Sequence, residues 1–423
     1  SRREGQPGAD VILTLDVGLQ EYIVKRLGEE SASVVVMDVL TGDVLAMVSN
    51  PAYDSNDFNR GLSTKEWQAL VSDQRTPLIN KSIAGVYSPG STFKMIVLLA
   101  ALEKGVISAD QKIHCGGDYE LGDAKFHCWK RHGHGFVNAR EALTESCDVY
   151  FYEIAKRTGI DRIAAMARKF GLDAPTGIDL PGEKDGLIPT RDWKRASRNE
   201  PWHQGETVIA GIGQGYVLTT PVQLALMTAR IANGGRAITP HLTRAVGEQA
   251  TQRLSPTEIP SINVSPSHLA IVIDGMNRVV NHATGTARRS ATHIEGFPMA
   301  GKTGTVQVRR ITKAERDQGV RKNEDLPWKF RDHALFVGFA PVENPRYAVS
   351  VVVEHGGGGS STAAPIARDV LMEAHRRNSV GPGAAIAERA PSRKPAQGMA
   401  KDATSARQQT RTVPDVGDEG EGT

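Results

Sequence analysis

The chain has 423 residues, room for one large domain or two to three ordinary ones, and 51 Lys+Arg against 48 Asp+Glu. This near balance excludes the basic footprint of a nucleic-acid binder. The longest wholly apolar run, Met95 to Leu102, falls well short of the roughly 20 residues that span a bilayer, and three cysteines, an odd number, argue against a disulfide framework.

In chain order, residues 10 to 28 read as a short strand, Val11 to Leu15, followed by an amphipathic helix through Leu19, Ile23 and Leu27. This pattern begins soon after Ser1, which is not a Met, and no signal peptide precedes it. The chain is therefore expected to be a fragment whose targeting segment has been removed. The stretch "SASVVVMDVLTGDVLAMVSN" is two β-rich runs joined at Thr41-Gly42, a hairpin signal. From Ser91 to about Gly296 the pattern is mostly helical, with Gly and Pro breaks. The β signal returns in "FPMAGKTGTVQV" and then in "HALFVGFA" and "RYAVSVVVEH". Strands are thus predicted within 30–50, 297–309 and 333–355, around a helical lobe inserted at about 95–295. The fold class is mixed α/β (α+β): a five-stranded antiparallel sheet flanked by helices, plus that lobe. "GGGG" at 356–359 reads as a flexible turn, and 379–423, poor in large apolar residues, as a disordered tail.

Chemistry concentrates in "SPGSTFKM". Pro89 and Gly90 break the chain, and Ser91 is followed three residues later by Lys94 where an apolar helix opens. Positions i and i+3 share a helix face, so Lys94 stands beside the Ser91 hydroxyl. A serine hydroxyl is a weak nucleophile that needs a nearby base, and a lysine held neutral by burial or a neighbouring cation serves. The helix N-terminus adds a free backbone N–H for an oxyanion. Taken alone, an N-cap serine and a surface lysine explain the pattern as well. Its company tips the balance: Ser91 to Lys94 is the only S-x-x-K, and Lys302-Thr303-Gly304, inside a predicted strand, is the only K-T-G. A lysine, a hydroxyl and a small residue on a strand suit a peptide ending in a carboxylate.

These two motifs, in this order, resemble those of the penicillin-binding and serine β-lactamase superfamily. Its third motif, S-x-N, matches Ser197-Arg198-Asn199 and Ser261-Ile262-Asn263, both far from Ser91. Ser146-Cys147-Asp148 in "TESCDVYFYEIA" fits better, because it opens an apolar helix and class B penicillin-binding proteins of the elongation type are similar in carrying S-x-D. Longer stretches resemble the penicillin-binding protein 2 group of that class, among them "LTLDVGLQ", "PLINKSIAGVYSPGSTFK", "GIDLPGEKDGLIPTRDWK", "PWHQGETVIAGIGQGYVLTTPVQLA" and "LFVGFAPVENPRYAVSVVVE".

The resemblance implies a peptidoglycan D,D-transpeptidase domain over 10–378, with 1–9 as the end of a missing pedestal or linker. It implies a periplasmic enzyme anchored in the inner membrane by an upstream segment. Stem peptides ending in D-Ala–D-Ala would be its substrates and β-lactams its inhibitors, and no cofactor is needed for the chemistry. A lipid-II-polymerising glycosyltransferase and the scaffold MreC are the implied partners. Ser91 would be the nucleophile and Lys94 its base, Ser146 would relay a proton, and Asp148 would orient Lys94. Lys302, with Thr303, Gly304 and Thr305, would hold the carboxylate, and the N–H groups of Ser91 and Thr305 would form the oxyanion hole. A D,D-carboxypeptidase, a serine β-lactamase and a non-enzymatic β-lactam sensor remain alternatives.

The three cysteines all fall in the helical lobe and, with His134, give C-x12-C-x5-H-x12-C through Cys115, Cys128, His134 and Cys147. A Cys3His set closes a tetrahedral zinc site, and some relatives resemble this in binding zinc with Asp, His and Cys. The alternative is a Cys115–Cys128 disulfide with Cys147 buried. His114, His127 and His132 are substitutes for His134.

Overall fold

The computed structural model describes residues 8–378 apart from 248, 252, 253, 256, 310, 313, 314, 316 and 317. The tail expected at 379–423 and nearly all of the expected linker at 1–9 lie outside the described residues. In chain order, the elements that build the site are α1 (Val17–Leu27), β1 (Ala32–Asp38), β2 (Val44–Asn50), α2 (Lys94–Glu103), α3 (Ala139–Thr144), α4 (Asp148–Thr158), α5 (Pro221–Ala232), α6 (Pro266–Asn281), β3 (Ala300–Val306), β4 (His333–Ala340), β5 (Tyr347–Val353) and α7 (Ala364–Arg377).

The sheet is antiparallel throughout in the order β3-β4-β5-β1-β2, so the chain's two ends interleave. β1 and β5 are buried at every residue, as expected of strands covered on both faces. Period two assigns their side chains to two cores. Val35 and Met37 face the helical lobe with Phe93, Leu99 and Phe151. Val34 and Val36 face the other way, toward Leu19, Ile23, Ile366 and Val370 of α1 and α7. α1 therefore buries the predicted Leu19, Ile23 and Leu27, and Asp16 caps its Leu19 N–H at 3.0 Å.

In the lobe, α2 is buried at every position from Lys94 to Leu102, so its lysine has no solvent in which to disperse its charge. The stretch read as mostly helical also holds two small antiparallel ribbons, Ile113–Cys115 with Gly135–Val137 and Asp118–Leu121 with Ala124–His127. Strands of three or four residues are too short to show a period, which is why the pattern hid them. The strand predicted at Val11–Leu15 forms over Val11–Leu13, but pairs with Thr243–Val246 rather than joining the main sheet. The glycine run is not a free turn: Gly359 N donates to Thr305 Oγ1 at 3.2 Å, and a π-turn over Gly359–Ala363 leads into α7. No described helix is long and apolar enough to cross a membrane.

Candidate active site

Gly90–Phe93 forms a 3₁₀ turn that runs straight into α2, placing Ser91 one turn ahead of Lys94. Gly90 N donates to Gly213 O at 2.9 Å, so the "GIGQG" loop braces the turn that bears Ser91. On the other side lies β3. A Cβ on Gly304 would meet Leu335 Cβ at 3.0 Å, Pro89 O at 3.1 Å and Thr92 Cγ2 at 3.1 Å. The glycine of K-T-G thus admits the nucleophile's own turn against the strand.

Ser146 occupies a helix cap. Cys147 N donates to Ala142 O at 2.9 Å and Ser146 N to Leu143 O at 3.3 Å, the paired bonds of a Schellman motif closing α3. That motif demands a left-handed residue, normally glycine, and Ser146 takes it with φ of 57°. Such a backbone costs a non-glycine residue on the order of 1 kcal/mol or more, so bonds elsewhere must hold it. Two do: Lys94 Nζ reaches Ser146 O at 2.9 Å, and Trp129 Nε1 reaches the same carbonyl at 3.1 Å. Asp148, two residues on, is the first residue of α4, where a carboxylate suits the helix dipole.

The predicted residues meet around two lysines. Lys94 Nζ donates to Asp148 Oδ1 at 2.7 Å, to Ser146 O at 2.9 Å and to Ser146 Oγ at 3.2 Å. Among the described residues Lys94 makes no bond to Ser91 Oγ; its bonds run to Ser146 and Asp148. Lys302 Nζ, wholly buried, donates to Ser146 Oγ at 2.9 Å and to Thr303 O at 3.0 Å. Burial, and then the Lys94 charge, push the Lys302 ammonium well below the ordinary lysine range. Ser146 Oγ therefore bridges two lysines, Lys94 and a Lys302 that readily loses its proton. Thr303 Oγ1 lies 2.9 Å from Thr286 Oγ1, and Thr305 is exposed on the strand.

Cys115, Cys128, His134 and Cys147 also converge, with one candidate ligand atom from each within 4.8 Å of the others. His134 Nδ1 is 3.5 Å from both Cys115 Sγ and Cys128 Sγ. Two ligands held on one zinc by bonds of about 2.1 and 2.3 Å at the tetrahedral angle would stand about 3.6 Å apart. His134 Nε2 is buried without a hydrogen-bond partner, 4.0 Å from Glu145 Oε2. All three thiols are free and buried. The Cys147 hydrogen bond holds the Cys128 thiol far below the usual thiol range. The same bond, with burial, pushes Cys147 up, and burial pushes Cys115 up.

Sequence reasoning missed two neighbours. Trp129 is 61% exposed, yet its backbone N donates to Asp148 Oδ2 at 2.9 Å and its ring meets His134 edge-on at 5.5 Å. Its place after Cys128 was the available signal. Thr286 belongs to no motif and carried none.

The profile of the Penicillin binding protein transpeptidase domain family matches residues 32–372, and the chain belongs to that family. It is similar to peptidoglycan D,D-transpeptidase MrdA of Haemophilus influenzae, with 39% identity over 374 residues, 87% of this chain and 56% of that protein. The chain thus spans little more than half the length of that relative. Among solved structures it is similar to Pseudomonas aeruginosa PBP2 in complex with WCK 5153, with 41% identity, a TM-score of 0.78 and coverage of 88% of this chain and 77% of that one. It is also similar to Helicobacter pylori PBP2 in complex with MreC, with 34% identity, a TM-score of 0.77 and coverage of 88% and 64%.

Proposed function

We propose that this chain is the catalytic domain of an elongation-type peptidoglycan D,D-transpeptidase, occupying residues 10–378. The observation that carries the reading is the placing of Ser146 Oγ between Lys302 Nζ at 2.9 Å and, at 3.2 Å, the Nζ of Lys94, which itself follows Ser91 by one turn.

Ser91 Oγ attacks the carbonyl of the penultimate D-Ala. Lys94, as the free amine, accepts the Ser91 proton and hands it to Ser146. Ser146 relays a proton to the amine of the departing D-Ala as the C–N bond breaks, leaving an acyl-enzyme. The amine of a neighbouring stem peptide then attacks the ester and loses its proton by the same route, which restores Ser91. Asp148 keeps the Lys94 ammonium in place between steps. Lys302, Thr303 and Thr305 receive the terminal carboxylate, and the N–H groups of Ser91 and Thr305 receive the oxyanion. β-Lactams acylate Ser91 by the same attack.

Cys115, Cys128, His134 and Cys147 would hold a structural zinc, a set supported by their 4.8 Å convergence and by His134 Nδ1 lying 3.5 Å from both Cys115 Sγ and Cys128 Sγ. Bound there, zinc ties the turn bearing Ser146 and Asp148 to the two ribbons. By resemblance, the domain works at the periplasmic face of the inner membrane, held by an upstream segment, with a glycosyltransferase that polymerises lipid II. The MreC complex of the Helicobacter pylori relative supports MreC as a second partner.

The test is acylation and deacylation of the protein by a fluorescent penicillin, then product analysis with a stem peptide and an amine acceptor. Slow deacylation with cross-linked product supports the reading. Rapid deacylation marks a β-lactamase, hydrolysed peptide alone a carboxypeptidase, and acylation without peptide turnover a sensor.

A further inference from the structure

Thr286 stands in the loop after α6, outside every motif. Its Oγ1 lies 2.9 Å from Thr303 Oγ1, and its N–H points to Thr144 O at 3.4 Å, just ahead of the Ser146 turn. The loop is held on both sides, by Gly285 N to His282 O at 3.0 Å and Ala287 N to Val279 O at 2.9 Å. Thr286 is half-buried and Thr303 is 7% exposed, so neither hydroxyl is free to reorient in bulk water.

Two hydroxyls at this distance share one hydrogen bond, and which of them donates decides what the other can do. If Thr303 donates to Thr286, it has no proton left for an incoming anion. If Thr286 donates to Thr303, the Thr303 proton is free to point at a carboxylate, and the chain from hydroxyl to hydroxyl to carboxylate strengthens each link. A carboxylate arriving at β3 selects the second arrangement.

We infer that Thr286 is a positioning residue for carboxylate recognition: its hydroxyl donates to Thr303 Oγ1 and so aims the Thr303 proton at the substrate's terminal carboxylate. This rests on the reading of β3 under Proposed function. It extends the carboxylate site from one strand to a loop that also touches the Ser146 turn.

The acid and ester forms of one acylating agent separate this role from a structural one. Acylation rates would be measured by intact-protein mass for benzylpenicillin and for its methyl ester, on the wild type, Thr286→Val and Thr286→Ser. The valine variant should react about fivefold more slowly with the acid, the scale of a lost hydrogen bond between neutral groups, and at an unchanged rate with the ester. The serine variant should restore the acid rate. Equal slowing with acid and ester would assign Thr286 a structural role, and an unchanged acid rate would remove it from recognition; either overturns the inference. Thr286→Ala, which deletes the hydroxyl with less bulk, replaces the valine variant should that fail to fold. A wild type that forms no Ser91 adduct overturns the proposed function and the inference together. Normal wild-type acylation with an indifferent Thr286 overturns the inference alone.

Discussion

Lys94 Nζ and Asp148 Oδ1 meet at 2.7 Å, with the lysine side chain wholly buried and the aspartate side chain 11% exposed. Removing one partner of such a pair leaves the other charged and desolvated, which costs about 3–5 kcal/mol. Asp148→Ala should therefore lower thermal stability and slow penicillin acylation by about 10²-fold, the scale for losing a positioned catalytic group. Asp148→Asn keeps an acceptor oxygen for Lys94 and should be milder on both counts. Wild-type acylation rates in Asp148→Ala would remove Asp148 from the site.

Ser91→Ala should abolish covalent labelling by penicillin and leave the melting temperature nearly unchanged, because the hydroxyl is not what holds the turn. The turn is pinned by Gly90 N to Gly213 O at 2.9 Å and by Gly304 closing on Pro89. Mass spectrometry that found an adduct on another serine would displace Ser91 as nucleophile.

Trp129 offers a test of the strained cap. Trp129→Phe keeps the ring but deletes the indole donor to Ser146 O at 3.1 Å, while the backbone bond to Asp148 Oδ2 remains. Stability should fall by about 1 kcal/mol and acylation several-fold. An acylation rate equal to wild type would mean that the Lys94 bond alone suffices to hold Ser146.

If Cys115, Cys128, His134 and Cys147 hold zinc, protein purified without added metal should carry about one zinc per chain. Chelation or His134→Ala should then lower both the melting temperature and the acylation rate without altering Ser91. Less than about 0.2 zinc per chain, with a Cys115–Cys128 disulfide in a non-reducing peptide map, would exclude the site.

His333 predicts the acid limb of stability. Burial, and then the neighbouring His355, push its pKa down to about 4, and its Nδ1 accepts the His355 N–H at 2.9 Å, which favours the neutral ring. Between pH 6.5 and about 4 the unfolded chain binds a proton that the folded chain does not. Stability therefore falls as pH drops through that window, by up to roughly 3 kcal/mol. Chemical denaturation of wild type and His333→Gln across that range should show the slope reduced in the variant; parallel curves would place it in another group.

What the sequence determined by itself was local or periodic. The β-rich runs specified the five strands, the spacing of Leu19, Ile23 and Leu27 the buried face of α1, and the unique S-x-x-K and K-T-G the two reactive edges. Each is legible because its signal lies within a few residues. Tertiary structure decided what depends on distance between remote residues. It brought Lys94, Ser146, Asp148 and Lys302 onto shared hydrogen bonds across as many as 156 positions. It gave Gly304 a neighbour in Pro89, and it made partners of Trp129 and Thr286, whose roles come from hydrogen bonds to other segments. A hydrogen bond is set by a few tenths of an ångström and by burial, and neither is a property of any short stretch of chain.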